Sequence, residues 1–280
     1  MAMAPYSSLG EKVWYYLLRV ICGLIFFFLM APIVAIIPLS FNSIPFFTYP
    51  MEGFSWRWYA VLFGDSTQSI LWQRAFVNSI IVAVGSTTLA TILGTMAAIG
   101  MTRANFPFKS ALMAILISPI IVPIVIVAIA MFFFYARIGL VGNMFGIIFA
   151  HTTLGAPFVV ITVTATLQGF DQNMIRAGYI LGARPLRVFR KVTLPLILPG
   201  VVSGGLFAFA VSWDEVVVVL FLATAEQHTV PRRMWSGIRE LLSPTIISAA
   251  TILIMVSIVL MFTMEWLRRR GERLRGISPN

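Results

Sequence analysis

Six long apolar runs, each free of charged residues, follow one another along the chain. They lie between Arg19 and Glu52, Arg74 and Arg103, Lys109 and Arg137, Arg137 and Asp171, Lys191 and Asp214, and Glu240 and Glu265. A helix needs about 20 apolar residues to cross a hydrocarbon core of about 30 Å. Trimmed to their most apolar parts, the runs predict six membrane-spanning helices, near 15–39, 75–99, 111–134, 141–163, 197–222 and 246–267. We therefore predict an all-α integral membrane protein, with one transmembrane domain over residues 1–280.

The composition supports this prediction. Hydrophobic residues make up 59% of the chain and charged residues 11%, against about 45–50% and about 25% in soluble domains. The mean hydropathy of +0.94 does not fit a globule that faces water on all sides. The single cysteine, Cys22, excludes a disulfide framework and a cysteine-based metal site within the chain.

The distribution of charge predicts the topology. With a cytoplasmic N-terminus, six of the 20 basic residues fall in outer loops, and the larger remainder falls inside, as cytoplasmic loops require. The outer six are Arg57, Arg74, Arg137, Arg232, Arg233 and Arg239. Both termini are then cytoplasmic, and the basic excess needs no nucleic acid to explain it. The N-terminal apolar run is too long for a cleaved signal peptide, so we expect it to be retained. The arginines of 268–275 are expected to act as a stop-transfer signal that keeps the C-terminal end of the last span on the cytoplasmic side. Contact with anionic membrane lipid is the alternative.

Two outer segments, near 40–74 and 223–245, carry several aromatic residues. These are Trp56, Trp58, Tyr59, Trp72 and Trp235. Aromatic side chains of membrane proteins concentrate at the level of the lipid headgroups. We expect anchoring there, with contact to a ligand as the alternative.

The second predicted helix carries small residues at successive fourth positions: Ser86, Ala90, Gly94 and Ala98. Such a stripe allows another helix to approach closely. His151 lies inside the fourth predicted span, where a hydrogen bond to another helix is favoured over a metal site or a proton relay.

Motifs of soluble catalysis and of nucleotide binding are not found in the sequence. The two histidines, His151 and His228, lie in different segments without neighbouring cysteines or paired carboxylates at ligand spacing. The sequence therefore predicts no catalytic residues, no metal site and no cofactor in this chain.

The stretch from Gln168 to Gly200 is the longest cytoplasmic loop and reads as two short helices. Asp171 can cap the first, and Gly182 can end it with a positive φ. Its apolar positions, Met174, Ile175, Gly178 and Leu181, fall on one side. The second helix, after Pro185, is basic and amphipathic. A helix that lies on the inner leaflet is one interpretation.

The string Arg176-Ala-Gly-Tyr-Ile-Leu-Gly-Ala183, followed by Leu194-Pro195, resembles the cytoplasmic "EAA" loop of ABC-type importer permeases. Two positions depart from that pattern, since Arg176 replaces a glutamate and Gly178 an alanine. The resemblance implies a type I importer permease of the bacterial cytoplasmic (inner) membrane, whose loop near 168–196 docks on an ATPase. The residues implied in coupling are Arg176, Ala177, Gly178, Gly182 and Ala183.

The same resemblance implies the partners. They are a second homologous permease, two ATPase subunits and an external soluble binding protein. ATP and Mg²⁺ would then be held by the ATPase subunits and not by this chain.

Two adjacent carboxylates, Asp214 and Glu215, lie inside the fifth predicted span. A carboxylate inside a bilayer costs a few kcal/mol and usually faces a cavity or a partner. Counting about 17 residues at 1.5 Å from Ile197 places the pair roughly 25 Å along the helix, in the outer half of the membrane. Neighbours in a helix point about 100° apart, so we expect at most one of the two to face a pathway. The alternatives are attraction of a cation, or a salt bridge to Arg232, Arg233 or a partner chain.

The run Ser212-Trp-Asp-Glu215, with Val230-Pro-Arg-Arg-Met-Trp235 downstream, resembles the spermidine/putrescine class of these permeases. The resemblance implies that Trp213, Asp214 and Glu215 line the pathway of a small cationic solute. Permeases for other amines, amino acids, opines or iron remain alternatives. An ion-coupled secondary transporter and a membrane anchor for an enzyme are further alternatives.

Overall fold

Helices form almost all of the molecule over the residues that the structure describes. This computed structural model describes residues 8–103, 107–169, 171, 173–240 and 243–274. The helices are α1 (Leu9–Leu39), α2 (Arg57–Phe63), α3 (Thr67–Arg103), α4 (Lys109–Ile121), α5 (Ile124–Arg137), α6 (Met144–Gln168), α7 (Asn173–Ile180), α8 (Pro185–Val188), α9 (Leu194–Asp214), α10 (Val217–Leu222), α11 (Val230–Glu240) and α12 (Pro244–Leu274). A π-helical stretch, Phe189–Thr193, joins α8 to α9. The predicted all-α fold is confirmed.

The long helices correspond to the predicted spans. Five are long and apolar enough to cross a membrane: α1, α3, α6, the continuous helix Pro185–Asp214, and α12. The sixth candidate is the pair α4 and α5, which passes the same test only when its two helices are taken together.

The third predicted span, 111–134, is not one straight helix. The axes of α4 and α5 differ by 107°. Pro123 has no N–H to continue the helical bonding, and the residue before a proline favours an extended backbone. Val122 accordingly has φ −73° and ψ 136°, and Pro123 starts α5, where its carbonyl accepts from the N–H of Ile126 at 2.9 Å.

The fifth predicted span, 197–222, is broken near its C-terminal end. Helix α9 ends at Asp214, Glu215 is extended with φ −74° and ψ 125°, and α10 begins at Val217. The residues after the break are β-branched valines, which are weaker helix formers. The carboxylate of Glu215 accepts a hydrogen bond from the N–H of Val218 at 2.9 Å, so the acid begins a new helix and does not continue the old one.

Helices α3, α6 and α9 pack against one another and form the centre of the bundle. A Cβ on Gly94 would lie 2.7 Å from the Cβ of Val159 and 3.1 Å from the carbonyl oxygen of Ala156. Ala90 and Ala98 are fully buried. The predicted contact through the small-residue stripe is therefore confirmed.

The outer aromatic residues divide into two groups. Trp58 and Trp72 are buried, and the indole N–H of Trp58 donates to the carbonyl of Asn42 at 2.7 Å. Anchoring at the headgroups is therefore wrong for these two, because their rings fill the space between α2, α3 and the outer segment. Trp56 and Trp235 are exposed, as the prediction requires.

Helix α1 contributes nothing buried to the core. It has no buried residue along its 31 residues, and it packs beside α12. Its exposed apolar side chains suit contact with lipid or with another subunit.

The close approach at Gly94 generates a stability prediction. Gly94→Ala should lower the free energy of unfolding of the purified protein in detergent by about 1–3 kcal/mol, and so lower its melting temperature. The reason is that the added methyl meets the side chain of Val159 and the carbonyl oxygen of Ala156. Gly100→Ala is the matched control on the same helix, since a Cβ there meets nothing within 4 Å. Equal melting temperatures for the two variants would contradict the packing of α3 on α6.

Candidate functional site

The two acids occupy different environments at the break between α9 and α10. Asp214 is the last residue of α9, and its side chain is exposed. Glu215 is 7% exposed, with its carboxylate turned toward the first turn of α10. Only one of the pair is therefore presented at the surface of the chain, and that one of them faces a pathway stays a prediction.

Helix α9 has a covered face and an uncovered face. Gly204, Ala208 and Ser212 recur at fourth positions on the covered face and are buried. Phe207 is exposed on an adjacent side of the helix, although its ring also stacks on that of Phe158, with centroids 6.2 Å apart, and it shares this side with Asp214, which follows it by seven residues. Val211 is partly buried and packs against the core. Val211 also lines an apolar cleft of about 390 Å³ beside the bend between α4 and α5.

Trp213 belongs to the core. It is 5% exposed, and its ring stacks on Phe209 with centroids 5.7 Å apart. It shares a buried cluster with Leu62, Trp72 and Val230. The structure thus does not bring Trp213 to the face that carries Asp214.

The arginines near this end of the chain have other partners. Arg232 donates to the hydroxyl of Ser236. Arg233 donates to Oε1 of Gln68 at 2.9 Å and lies over the ring of Trp72, 5.1 Å from its centroid. Within the described part of the chain, neither Asp214 nor Glu215 forms an ion pair, so the proposed salt bridge to Arg232 or Arg233 is not present.

A chain of buried hydrogen bonds joins three helices just below the acids. The hydroxyl of Ser86 on α3 donates to that of Ser212 on α9 at 3.0 Å. Ser212 in turn lies 2.8 Å from Nδ1 of His151 on α6. The predicted helix-to-helix hydrogen bond of His151 is confirmed. Ser212 itself was not predicted, although it directly precedes the acidic pair.

The loop near 168–196 forms a compact hairpin of α7 and α8. Ile175 and Val188 are buried between the two helices, and a Cβ on Gly178 would lie 3.1 Å from Cγ2 of Val188. Asp171 accepts a hydrogen bond from the N–H of Asn173 at 2.9 Å and so caps the start of α7.

The turn at the tip of this hairpin has the predicted conformation. Gly182 has φ +73°, and its N–H donates to the carbonyl of Tyr179 at 2.9 Å. The next N–H, of Ala183, reaches the carbonyl of Gly178 at 3.1 Å. This pair of bonds satisfies the last carbonyls of α7 and requires a residue that tolerates positive φ. The tip beside it is apolar, since Ile180 and Leu181 are each 85% exposed.

The chemistry of the described residues points to transport. No group of three or more histidine, cysteine, aspartate or glutamate side chains within the described part of the chain could hold a metal ion. The notable polar features are one exposed carboxylate at the end of a long apolar helix and a hairpin at the opposite end of that helix. Together with the helical membrane fold, these features define the class of solute-transporting membrane subunits.

The chain belongs to the family of binding-protein-dependent transport system inner membrane components, whose model matches residues 90–273. It is 32% identical over 248 residues to the spermidine/putrescine transport system permease protein PotC of Haemophilus influenzae. That alignment covers 89% of this chain and 95% of PotC. It is 31% identical to the putrescine transport system permease protein PotI of Escherichia coli K12, over 89% of this chain and 90% of that protein. The chain is thus a bacterial inner-membrane permease subunit, and the resemblance seen in the sequence is confirmed.

Solved structures share the fold. A chain of a bacterial ABC transporter that imports the acidic polysaccharide alginate has a TM-score of 0.76 at 17% identity, covering 94% of this chain and 99% of that one. A chain of the MetNI methionine ABC transporter has a TM-score of 0.59 at 18% identity, covering 74% of this chain and 99% of that one. The predicted type I importer permease fold is confirmed.

The capping bond of Glu215 generates a second prediction. Glu215→Gln keeps a side-chain oxygen that can accept from Val218 and should leave the thermal stability near that of the wild type. Glu215→Ala removes the acceptor and should cost about 1 kcal/mol, the usual loss for a helix cap. Thermal unfolding of the purified variants measures both. Equal losses in the two variants would show that the negative charge, and not the capping bond, matters at this position.

Proposed function

We propose that this chain forms half of the translocation pathway of an ATP-driven importer of small organic cations, with a polyamine such as putrescine or spermidine as the substrate. The observation that carries the proposal is the exposed Asp214 at the outer end of an otherwise apolar spanning helix. A carboxylate at that depth needs water or a cation beside it and is costly against lipid. The names of the relatives PotC and PotI support the choice of cation.

A cationic substrate has to lose part of its hydration in the pathway. A polyamine carries two or more ammonium groups, which must leave water on entering the pathway, and a carboxylate can replace part of their hydration. Asp214 offers that carboxylate on the same face as Phe207, whose ring can lie against a cation. We assign direct contact with the substrate to Asp214, and we assign Trp213 and Glu215 to holding the break in place.

The proposal includes four further subunits. A second, homologous permease would cover the face of α9 that carries Asp214. Two ATPase subunits, holding ATP and Mg²⁺, would receive the hairpins of the two permeases. A soluble binding protein would deliver substrate on the outer side, where α2 and α11 lie. Both termini would then be cytoplasmic, as the distribution of basic residues predicts.

The hairpin supports the assignment of the coupling residues. Gly178 lets α7 and α8 pack closely, and the N–H of Ala183 donates to the carbonyl of Gly178. Gly182 sets the turn that exposes Ile180 and Leu181. Ala177 and Arg176 are exposed on α7. This surface offers shape and charge without reactive groups, as docking into another protein requires.

The first functional prediction concerns Asp214. Asp214→Asn should raise the substrate concentration for half-maximal uptake about 10-fold or more, since a hydrogen bond to a charged group contributes about 1.5–3 kcal/mol. Uptake of labelled putrescine and spermidine is measured in cells that lack other polyamine importers, with assembly checked by co-purification of the subunits. Unlabelled amino acids and other amines serve as competitors.

Glu226→Gln is the control, because it removes an acid from an outer turn away from α9. Normal uptake by an assembled Asp214→Asn complex would contradict the assignment of the cation site. Competition by an amino acid, and not by polyamines, would overturn the choice of substrate while leaving the transport function.

The second functional prediction concerns Gly182. Gly182→Val should reduce the ATPase activity stimulated by loaded binding protein several-fold, because a β-branched residue is strained at φ +73°. Gly182→Asn is the control, since asparagine tolerates this conformation and a Cβ here meets nothing within 4 Å in the chain. Full activity in both variants would remove the coupling role of the turn.

A further inference from the structure

The coupling hairpin is strongly basic. The segment 168–196 holds five basic residues, Arg176, Arg184, Arg187, Arg190 and Lys191, against one acid, Asp171. All five basic side chains are exposed. In the described part of the chain none of the five forms an ion pair, and the acid accepts the capping bond of α7. The hairpin therefore presents uncompensated positive charge.

The tip of the hairpin lies beyond the membrane surface. The helix from Pro185 to Asp214 has 30 residues, which is about 45 Å at 1.5 Å per residue. The hydrocarbon core is about 30 Å thick, and the headgroups add about 5–8 Å on each side. With Asp214 inside the outer half of the core, Pro185 lies more than about 10 Å below the inner hydrocarbon boundary, even at a tilt of about 20°.

Two consequences follow for the side chains at the tip. Ile180 and Leu181, each 85% exposed, stand in water and cannot reach the acyl chains. Exposed apolar side chains that lipid cannot cover suit contact with another protein. Arg176 on α7 and Arg184 after the turn flank the pair, so a protein that covers Ile180 and Leu181 also meets these two charges.

We propose that the ATPase partner receives this hairpin in a groove with an apolar floor and an acidic rim, and that aspartate or glutamate side chains of the rim pair with Arg176 and Arg184. The inference rests on the proposed function and adds the charge of the docking surface. It also gives Arg176 a role: at the position where the family pattern has a glutamate, this chain requires an ATPase whose matching residue is negative.

Carbodiimide cross-linking of the assembled importer tests the contact directly. The reagent joins a lysine to a carboxylate only when the two touch, and it does not react with arginine. Arg176→Lys and Arg184→Lys keep the charge and should each give an amide link to an ATPase acid, located by mass spectrometry of the purified complex. The wild-type complex is the control, since its hairpin holds a single lysine, Lys191, about 9 Å up the helix from Pro185.

Charge reversal gives a second measurement on the same complex. Arg176→Glu with Arg184→Glu should weaken ATPase binding to the permease pair in nanodiscs more than 10-fold, and a lysine at the cross-linked ATPase acid should restore it. Binding by the wild type should also weaken as salt rises from 50 to 300 mM. Arg269→Glu with Arg270→Glu on α12 makes the same change of charge outside the hairpin and should leave binding within about 2-fold.

The outcomes distinguish failure of the proposed function from failure of the acidic rim. If no ATPase co-purifies with the wild-type permease, the proposed function fails. If the ATPase co-purifies but gives no link at 176 or 184, and its binding ignores salt and charge reversal, the acidic rim is overturned. Loss of binding to anionic vesicles by the reversed hairpin, with ATPase binding unchanged, would assign the charge to the inner leaflet instead.

Discussion

The close contact of α9 with α6 is the constraint on which the rest of the structure depends. Helices in a bilayer gain little hydrophobic energy from touching each other, so small residues and hydrogen bonds decide which faces meet. A Cβ on Gly155 would lie 2.9 Å from the Cβ of Ala208, and one on Gly204 would lie 2.8 Å from the Cα of Val159. The bond between Ser212 and His151 fixes the rotation of the same pair. With α9 held in this way, Asp214 has to lie on the face that the chain leaves uncovered.

The break after Asp214 places the two adjacent acids in different environments. In an unbroken helix Glu215 would point about 100° from Asp214 and would still face the bundle or lipid as an unpaired carboxylate. At the break its carboxylate accepts the N–H of Val218 and satisfies an end of α10 that would otherwise have no partner. The cost of burying one acid is thereby reduced, and the other acid stays exposed.

The sequence was sufficient for features that depend on one local property. Charge-free runs give the spans, fourth-position spacing gives the stripe through Gly94, and the position of Gly182 gives the end of α7. The bend at Pro123 could not be predicted, because Pro157 lies inside α6 without breaking it, and only tertiary packing separates the two cases. Trp56 and Trp58 likewise differ only through tertiary contacts, because Trp58 on α2 packs into the core and Trp56, directly before α2, is exposed.

One continuous helix connects the hairpin of α7 and α8 to Asp214. From Pro185 to Asp214 the backbone runs through α8, the π-helical stretch and α9 without a gap. A displacement of the hairpin would therefore shift or rotate the whole helix and with it the carboxylate of Asp214. Helix α10 lies beyond the break at Glu215 and can move independently. The π-helical stretch, Phe189–Thr193, is the point along this helix where the pattern of backbone hydrogen bonds changes from i→i−4 to i→i−5. In the proposed importer, coupling between the hairpin and Asp214 therefore needs no relay of side chains, because the small-residue contacts of α9 restrict the directions in which this helix can move.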